Sequence, residues 1–542
     1  MSSGLRRDTR WWGWGDPEAQ AVLAPEAERM LADHGVSLSE RAVLPSLKSV
    51  KVPAARQLPN ALLKAAGADN TSTSDEDRLR HSGGQSFADL IERRSGALNN
   101  APDAVVALDS ADRILPLLQA CAKHSVAVVP FGGGTSVVGG VTLERGRCER
   151  WISLDTCNLR GVIVDDVSRT ARLGAGLRGP EAEAALARRG LTIGHFPQSF
   201  EYATIGGFAA TRSAGQASSG YGRFDSLVSS IRLVTPAGLL STLETPHTSI
   251  GPSLMDLIVG SEGAFGVIPD VDVRVQPAPE AKRYEGWLFE DFETGNAAIR
   301  SLAQSDRLPT VARVSDPAET AVSLGMSGPS GLAGEAFRRY LRIRGRGSGC
   351  LMIAGLEGSN LHVRQRRRDL ARTLRSFGAL SLGQSAGGAW AKGRFHGPYL
   401  REALLDRGLV VDTLETAQQW SRHDELYQAV QVAIKAELRS LGMEGVVMCH
   451  LSHAYRDGAS LYFTVIASPG KESGVASWKK IKAAATGAIQ ASGGTLSHHH
   501  ATGRDHTPYL SDEIGPLGID VLQAVKGRLD PAGIMNPGCL IP

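Results

Sequence analysis

The sequence predicts an α+β protein of more than one domain, and three observations carry that prediction. A chain of 542 residues exceeds what one hydrophobic core serves. From Ala101 short apolar runs alternate with helical patterns, and beyond about Gln276 the pattern changes to strands separated by long helices. Between these regions lie several turns dense in glycine and small polar residues. The expected division is an N-terminal, partly helical extension over 1–98, a ligand-binding domain over 99–276, an α+β cap with an antiparallel sheet over 277–468, and a C-terminal helical segment over 469–542. That last segment is expected to pack on the first domain and complete the site.

Apolar residues make up 42% and charged ones 21%, the balance of an ordinary globular chain. A formal net charge of +3 with no long lysine or arginine block argues against nucleic acid as a partner. Arg364, Arg366, Arg367 and Arg368 read as one solvated helix face. Cys121, Cys148, Cys157, Cys350, Cys449 and Cys539 are scattered without a C-x-x-C pair, which suits a reducing compartment and gives no zinc signature. No apolar run reaches membrane-spanning length and no secretory h-region opens the chain. The expected protein is soluble and cytoplasmic, with a peripheral membrane contact left open.

In chain order, Arg10-Trp-Trp-Gly-Trp-Gly15 comes first, and three tryptophans so close together need a surface to pack on. They are expected to clamp an arm onto the body; a membrane-surface role is the alternative. Val105-Val-Ala-Leu108 reads as a strand, Ser110 as the N-cap of a helix through about His124, and Val126-Ala-Val-Val129 as the next strand. Pro130-Phe-Gly-Gly-Gly-Thr-Ser136 follows. Gly132, Gly133 and Gly134 can turn successive N–H groups onto one anion, a phosphate cradle, although alone the run is also a flexible turn.

Gly174-Ala-Gly-Leu-Arg-Gly179 matches G-x-G-x-x-G between a strand and a helix. No acidic residue ends a second strand about twenty positions later, so the nicotinamide reading is set aside. Pro197-Gln-Ser-Phe-Glu-Tyr-Ala203, Thr204-Ile-Gly-Gly207 and Ala210-Thr-Arg-Ser213 are loops whose backbone a large polar ligand would satisfy. Gly260-Ser-Glu-Gly-Ala-Phe-Gly-Val-Ile268 forms a second glycine-rich turn. In the cap, Tyr284–Phe289 and Leu351–Leu356 read as strands and Thr294–Ser305 and Leu361–Phe377 as helices; Gly325–Gly334 and Gly383–Gly388 read as mobile loops.

These pieces, taken together and in this order, resemble the flavin-binding (PCMH-type) domain of the vanillyl-alcohol-oxidase family. The resemblance implies FAD. Pro130, Phe131, Gly132, Gly133, Gly134, Thr135 and Ser136 would hold its pyrophosphate; Pro197, Gln198, Ser199, Tyr202, Ala203, Gly206, Gly207, Thr211, Arg212 and Ser213 would line the rest; Glu262, Gly263, Gly266, Val267 and Ile268 would close over it. The phosphate loop has no histidine or cysteine for a covalent tether, so non-covalent FAD is expected. Pro269 departs from the family, which places a threonine hydroxyl there.

Farther on come Phe395-His-Gly-Pro-Tyr-Leu-Arg-Glu402, Val411-Asp-Thr-Leu-Glu-Thr-Ala417, His453-Ala-Tyr-Arg-Asp-Gly-Ala459 and Ser497-His-His-His-Ala-Thr-Gly503. With the flavin pieces and the tryptophan-rich opening, these resemble the alkyldihydroxyacetonephosphate synthase family over nearly the whole chain. The resemblance implies exchange of the acyl group of acyl-dihydroxyacetone phosphate for a fatty alcohol, through an adduct at flavin N5, in ether-lipid synthesis; a homodimer is expected.

Tyr455 is the candidate acid/base, on condition that neighbouring cations, with the histidines as candidates, lower its phenolic pKa. The alternative is a structural tyrosine in a strand-edge turn. If extended, His498 and His500 share one face and His499 the other; an active-site wall, a metal site and a polar filling are the readings, and the position beside Thr495, Ser497 and Gly503 with the family resemblance favours the three as catalytic residues of an active-site wall; with no further ligands at compatible spacing, no metal is expected. Arg401 resembles the family's phosphate-facing arginine, against a surface pairing with Glu402 or Asp406, and Arg313 is a second substrate-binding candidate. The rival function is an FAD-dependent oxidase or dehydrogenase of a hydroxy acid or alcohol; a flavin scaffold without chemistry is a third reading.

Overall fold

The computed structural model describes residues 4–19, 22–143, 148–327 and 331–541. Three main sheets carry it. Ala104–Ala107, Arg150–Asp155 and Val126–Phe131 pair in parallel, with Thr71–Ser72 added antiparallel at the edge. The central runs are buried residue after residue, as a parallel sheet covered on both faces requires. A five-stranded antiparallel sheet follows in the order Val162–Asp165, Thr170–Gly174, Asp270–Arg274, Val228–Thr235, Gly238–Ser241.

The third sheet is antiparallel and seven-stranded, in the order Leu380–Leu382, Ala281–Phe289, Cys350–Gly358, Val311–Ser315, Gly445–Ala454, Gly458–Ala467, Val410–Gln419. Successive side chains of a strand face opposite ways, and here the two faces have different jobs. Val447, Cys449, Leu451, Leu461, Phe463 and Val465 meet helices Phe292–Gln304, Asn360–Ser376, His423–Ser440 and Gly474–Ala491 in one apolar core. Met448, His450, Ser452, Tyr462, Thr464 and Ile466 turn the other way and line a cavity. Of the basic cluster in helix Asn360–Ser376, Arg366 donates to the Leu308 carbonyl and Arg367 to Glu285, so part of that face is tied to the cap.

Gly383–Gly388 forms no loop. It opens helix Gly383–Gly393, whose small residues let it lie flush on strand Ala281–Phe289: a Cβ on Gly387 would stand 2.3 Å from the Tyr284 carbonyl carbon, and one on Gly286 would stand 2.6 Å from Ala386. Helices Pro317–Ser327 and Gly331–Ile343 take up most of Gly325–Gly334, and 328–330 lie outside the described residues.

The two ends of the chain tie the domains together. Trp11 and Trp14 are buried, so these two of the opening tryptophans pack inward. Phe87 and Leu90, from helix Phe87–Ser95, enter the cap core, where Phe87 stacks on Trp478 with ring centroids 5.9 Å apart. Helix Gly474–Ala491 packs against the cap, not the first domain; the chain crosses back only after it. Leu522, Val525 and Leu529 then pack on the antiparallel part of the first domain, and Ile534 and Met535 enter its parallel part.

Trp478→Ala removes that stacking and the hydrogen bond from the indole N–H to Asp412 (2.7 Å). It is expected to cost about 3–5 kcal/mol, read by chemical denaturation, and to open the segment around helix Phe87–Ser95 to proteolysis.

Candidate active site

A cavity of about 1130 Å³ lies between the first domain and the bare face of the seven-stranded sheet. On one side the glycine run leaves the end of strand Val126–Phe131. A Cβ on Gly132 would stand 2.3 Å from the Thr204 hydroxyl and one on Gly133 2.1 Å from the Tyr202 carbonyl oxygen, while Gly134 has φ +64°. Only glycine lets this loop press so closely on the next wall. Among the described residues, no backbone N–H of Gly132, Gly133, Gly134 or Thr135 has a partner within the chain. A run of unpaired donors beside a cradle closed to side chains fits the pyrophosphate of FAD.

Opposite, His498–His500 is held by one carboxylate. Glu415, from strand Val410–Gln419, accepts from the backbone N–H groups of His498 (2.7 Å), His499 (2.8 Å) and His500 (2.7 Å) and from the Ser497 hydroxyl (2.7 Å). Burial opposes its charge, yet its imidazole neighbours, His499 first, hold it well below the usual carboxylate range. The segment is therefore bent, and the expected alternation does not occur: His499 and His500 line the cavity while His498 turns behind them. Glu415, His498 and His499 have ligand atoms within 4.8 Å of one another, but the Glu415 oxygens already accept those four donors.

Tyr455 does not line the cavity. Its hydroxyl meets His498 Nε2 at 2.7 Å on the far side of that ring, and its carbonyl accepts from the Trp420 indole. The tyrosine in the cavity is Tyr462, stacked on His450 at 4.8 Å and edge-on to His500 at 5.4 Å. Burial pushes both phenols up to about 12, so geometry alone separates them. Nor do His450, His453, His498 and His500 carry charge. Burial pushes His498 and His500 down to about 3 and lowers His450 and His453, leaving imidazoles that each keep an acceptor nitrogen.

Arg401 lines the cavity as a charge the protein leaves only partly matched. Glu402 and Asp406, its expected surface partners, are taken by Arg94 at 2.6 and 2.7 Å. Arg401 donates instead to the Gln85 carbonyl (2.8 Å) and side-chain oxygen (3.1 Å), stays 3.7 Å from Glu402, and keeps a buried Nε without a partner. Arg313 lines the same cavity, paired with Glu319, which also meets His450 at 3.0 Å. Burial opposes the Glu319 charge, but His450 and Arg313 hold it below the carboxylate range. An apolar limb extends from here between Val322, Leu324, Leu351, Ile353, Leu382 and Trp390.

Pro130 to Ser136, Pro197, Gln198, Ser199, Ala203, Gly206, Gly207, Thr211, Ser213, Glu262, Gly263, Gly266, Val267 and Ile268 all line the cavity. Tyr202 and Arg212 do not. The Tyr202 ring packs on Trp14 and Arg178, and Arg212 donates to the Val259 and Asp256 carbonyls, propping the second glycine turn from behind. The sequence reading missed Glu415 and Tyr462. Tyr462 had a legible signal: Ser460, Tyr462 and Thr464 alternate with Leu461, Phe463 and Val465, a polar stripe on a strand. Glu415 had none, because its partners are backbone groups some eighty residues away.

Residues 102–244 match the FAD binding domain and residues 278–540 the C-terminal domain of FAD linked oxidases. The chain is 34% identical to an alkyldihydroxyacetonephosphate synthase of Trypanosoma brucei brucei, covering 86% of this chain and 77% of the relative. It is 31% identical to the Dictyostelium discoideum protein of the same name, covering 99% and 94%. A solved structure of an alkyldihydroxyacetonephosphate synthase superposes with a TM-score of 0.85 at 29% identity over 98% of both chains. The architecture is α+β, the cofactor is FAD, and the chain is an FAD-dependent enzyme.

Gly133→Ala is expected to weaken FAD binding by at least tenfold, because its Cβ would meet the Tyr202 carbonyl oxygen; titration of the apoprotein with FAD reads it. Glu415→Gln is expected to lose about 1.5–3 kcal/mol at pH 7. A carboxylate whose folded pKa lies below its unfolded value stabilises above the unfolded value and loses that contribution as pH falls through the folded one. Denaturation curves of wild type and variant should accordingly converge as pH drops below 4.5.

Proposed function

This chain belongs to the alkyldihydroxyacetonephosphate synthase family, and on that premise we propose that it exchanges the acyl group of acyl-dihydroxyacetone phosphate for a fatty alcohol. One observation carries the reading: a single cavity joins the phosphate loop, two arginines, a buried tyrosine among neutral imidazoles, and an apolar limb. Arg401 and Arg313, both lining the cavity, bind the substrate phosphate. The limb takes the acyl and alkyl chains. FAD, held without a covalent link, supplies an electron-accepting ring when bound.

Tyr462 takes the acid/base role first given to Tyr455. Its phenol is protonated at rest, and the rings of His450 and His500 pack against it. The phenol acts through its ionised form: the phenolate oxygen takes the proton leaving the substrate carbon, and the phenol so formed returns it. Glu415 positions His499 and His500 for this exchange. Among the described residues no helix is long and apolar enough to cross a membrane; the proposal includes a homodimer and a peripheral contact with the lipid surface that supplies its substrates.

Purified protein incubated with acyl-dihydroxyacetone phosphate and hexadecanol is expected to release fatty acid without oxygen uptake. Oxygen consumption with a hydroxy acid, and no fatty acid release, would establish the oxidase instead. Tyr462→Phe should lose about 10²–10⁴-fold in kcat with FAD content unchanged, whereas Tyr455→Phe should stay within about tenfold of wild type in the same assay.

A further inference from the structure

Exchanging an acyl group for an alcohol leaves one proton unassigned. The bond from the substrate carbon to the acyl oxygen breaks, the carboxylate leaving with its electron pair, and a bond from that carbon to the alcohol oxygen forms. Tyr462 returns to the carbon the proton it takes, so the surplus proton is the one on the alcohol hydroxyl. A second acceptor has to receive it as the new bond forms.

The cavity holds such an acceptor beside Tyr462. Ser315, His450, Tyr462 and Glu415 stand opposite one another on adjacent strands, in one row across the sheet. Glu319, in the first turn of helix Pro317–Ser327, reaches over that row: its Oε2 meets His450 Nδ1 at 3.0 Å, and its Oε1 accepts from Arg313 and from the Ser315 hydroxyl (3.3 Å). His450 and Arg313 keep this carboxyl ionised, so it can only accept, and His450 must present Nδ1 as the donor. In the neutral ring the lone pair then lies on Nε2. That nitrogen has no partner among the described residues and is not closed off from the cavity that its ring lines. Burial and Arg313 lower the His450 pKa while Glu319 opposes them, because an imidazolium formed here faces a carboxylate at once.

The place also suits an alcohol. Val322 and Ser323 follow Glu319 at i+3 and i+4, on the same helix face, and all three line the cavity where the apolar limb begins. A fatty alcohol with its chain in the limb brings its hydroxyl to the limb's inner end, between Glu319, His450 and Tyr462.

We propose that His450 is a second catalytic residue, whose Nε2 takes the hydroxyl proton of the fatty alcohol as the alcohol oxygen bonds to the substrate carbon. Glu319 is its positioning residue, fixing the tautomer and pairing with the imidazolium. The proton passes to water as the products leave. This role presupposes the exchange proposed above.

His450→Gln removes the base, and Glu319→Gln keeps an oxygen for Nδ1 while removing the charge. Two rates are read in folded, FAD-loaded protein: fatty acid released in the first turnover without alcohol, and ether formed with hexadecanol. In His450→Gln ether formation is expected to fall about 10²-fold and fatty acid release by no more than about tenfold. Glu319→Gln should lower ether formation about tenfold and fatty acid release less, whereas Tyr462→Phe should lower both together. Hexadecanol fluorinated on the carbon beside the carbinol gives up its proton more readily, so with it the His450→Gln loss should shrink to about tenfold or less; a loosened fold would not respond to the acidity of the alcohol. Ether formation within about threefold of wild type in His450→Gln, both rates falling in parallel, or an equal loss with the fluorinated alcohol would overturn the proposal. Should His450→Gln lose its flavin, Glu319→Gln is judged by the same criteria. A wild type that releases no fatty acid, with or without alcohol, would overturn the exchange itself and this role with it, and that result is seen before any variant is made.

Discussion

Two buried carboxylates stitch one loop between two domains, and the site depends on that stitching. Glu415, on a cap strand, gathers the backbone N–H groups of His498, His499 and His500. Glu262, on the second glycine turn of the first domain, accepts from Thr502 (2.8 Å) and from Gly503 (2.8 Å to its nearer oxygen). Segment 497–503 therefore has its first half bound to the cap and its second half to the FAD-binding domain. The two carboxylates do not balance alike: burial wins at Glu262, raising it to about 7 despite those donors, whereas the imidazoles around Glu415 reverse the burial effect.

The rest of the cavity follows from how charge is allotted around it. An antiparallel sheet with helices on one face leaves a second face to cover, and here a ligand chamber covers it. Desolvation keeps His450, His453, His498 and His500 neutral. Positive charge comes instead from guanidinium groups. Arg94 holds Glu402 and Asp406 at 2.6 and 2.7 Å, leaving Arg401 only the longer 3.7 Å approach to Glu402, while Arg313 pairs with Glu319, which also meets His450.

Small residues do two kinds of work in this chain, and sequence reading separates them poorly. At Gly132–Gly134 they shape a loop that faces the cavity; at Gly383–Gly393 they let a helix lie against a strand. In G-x-G-x-x-G of 174–179 they serve packing alone, since a Cβ on Gly176 would stand 1.9 Å from the Thr156 carbonyl oxygen and one on Gly179 2.5 Å from the Phe200 ring. A run of glycines announces close approach, but its partner is a matter of three dimensions.

By itself the sequence determined the local facts: where backbone must turn without side chains, which stretches alternate as strands, and that the ordered motifs from Pro130 to Gly503 belong together around a flavin. Those properties sit in contiguous residues, where sterics and periodicity act directly. Tertiary structure alone decided which of two tyrosines seven positions apart enters the cavity, because a bulge between Ser452 and Ala454 and the turn after Tyr455 separate them onto different surfaces. It also decided that His498 faces away from its two neighbours and that Trp14 reaches the ligand chamber. Each of these depends on contacts between residues tens to hundreds of positions apart, and a linear pattern carries no record of them.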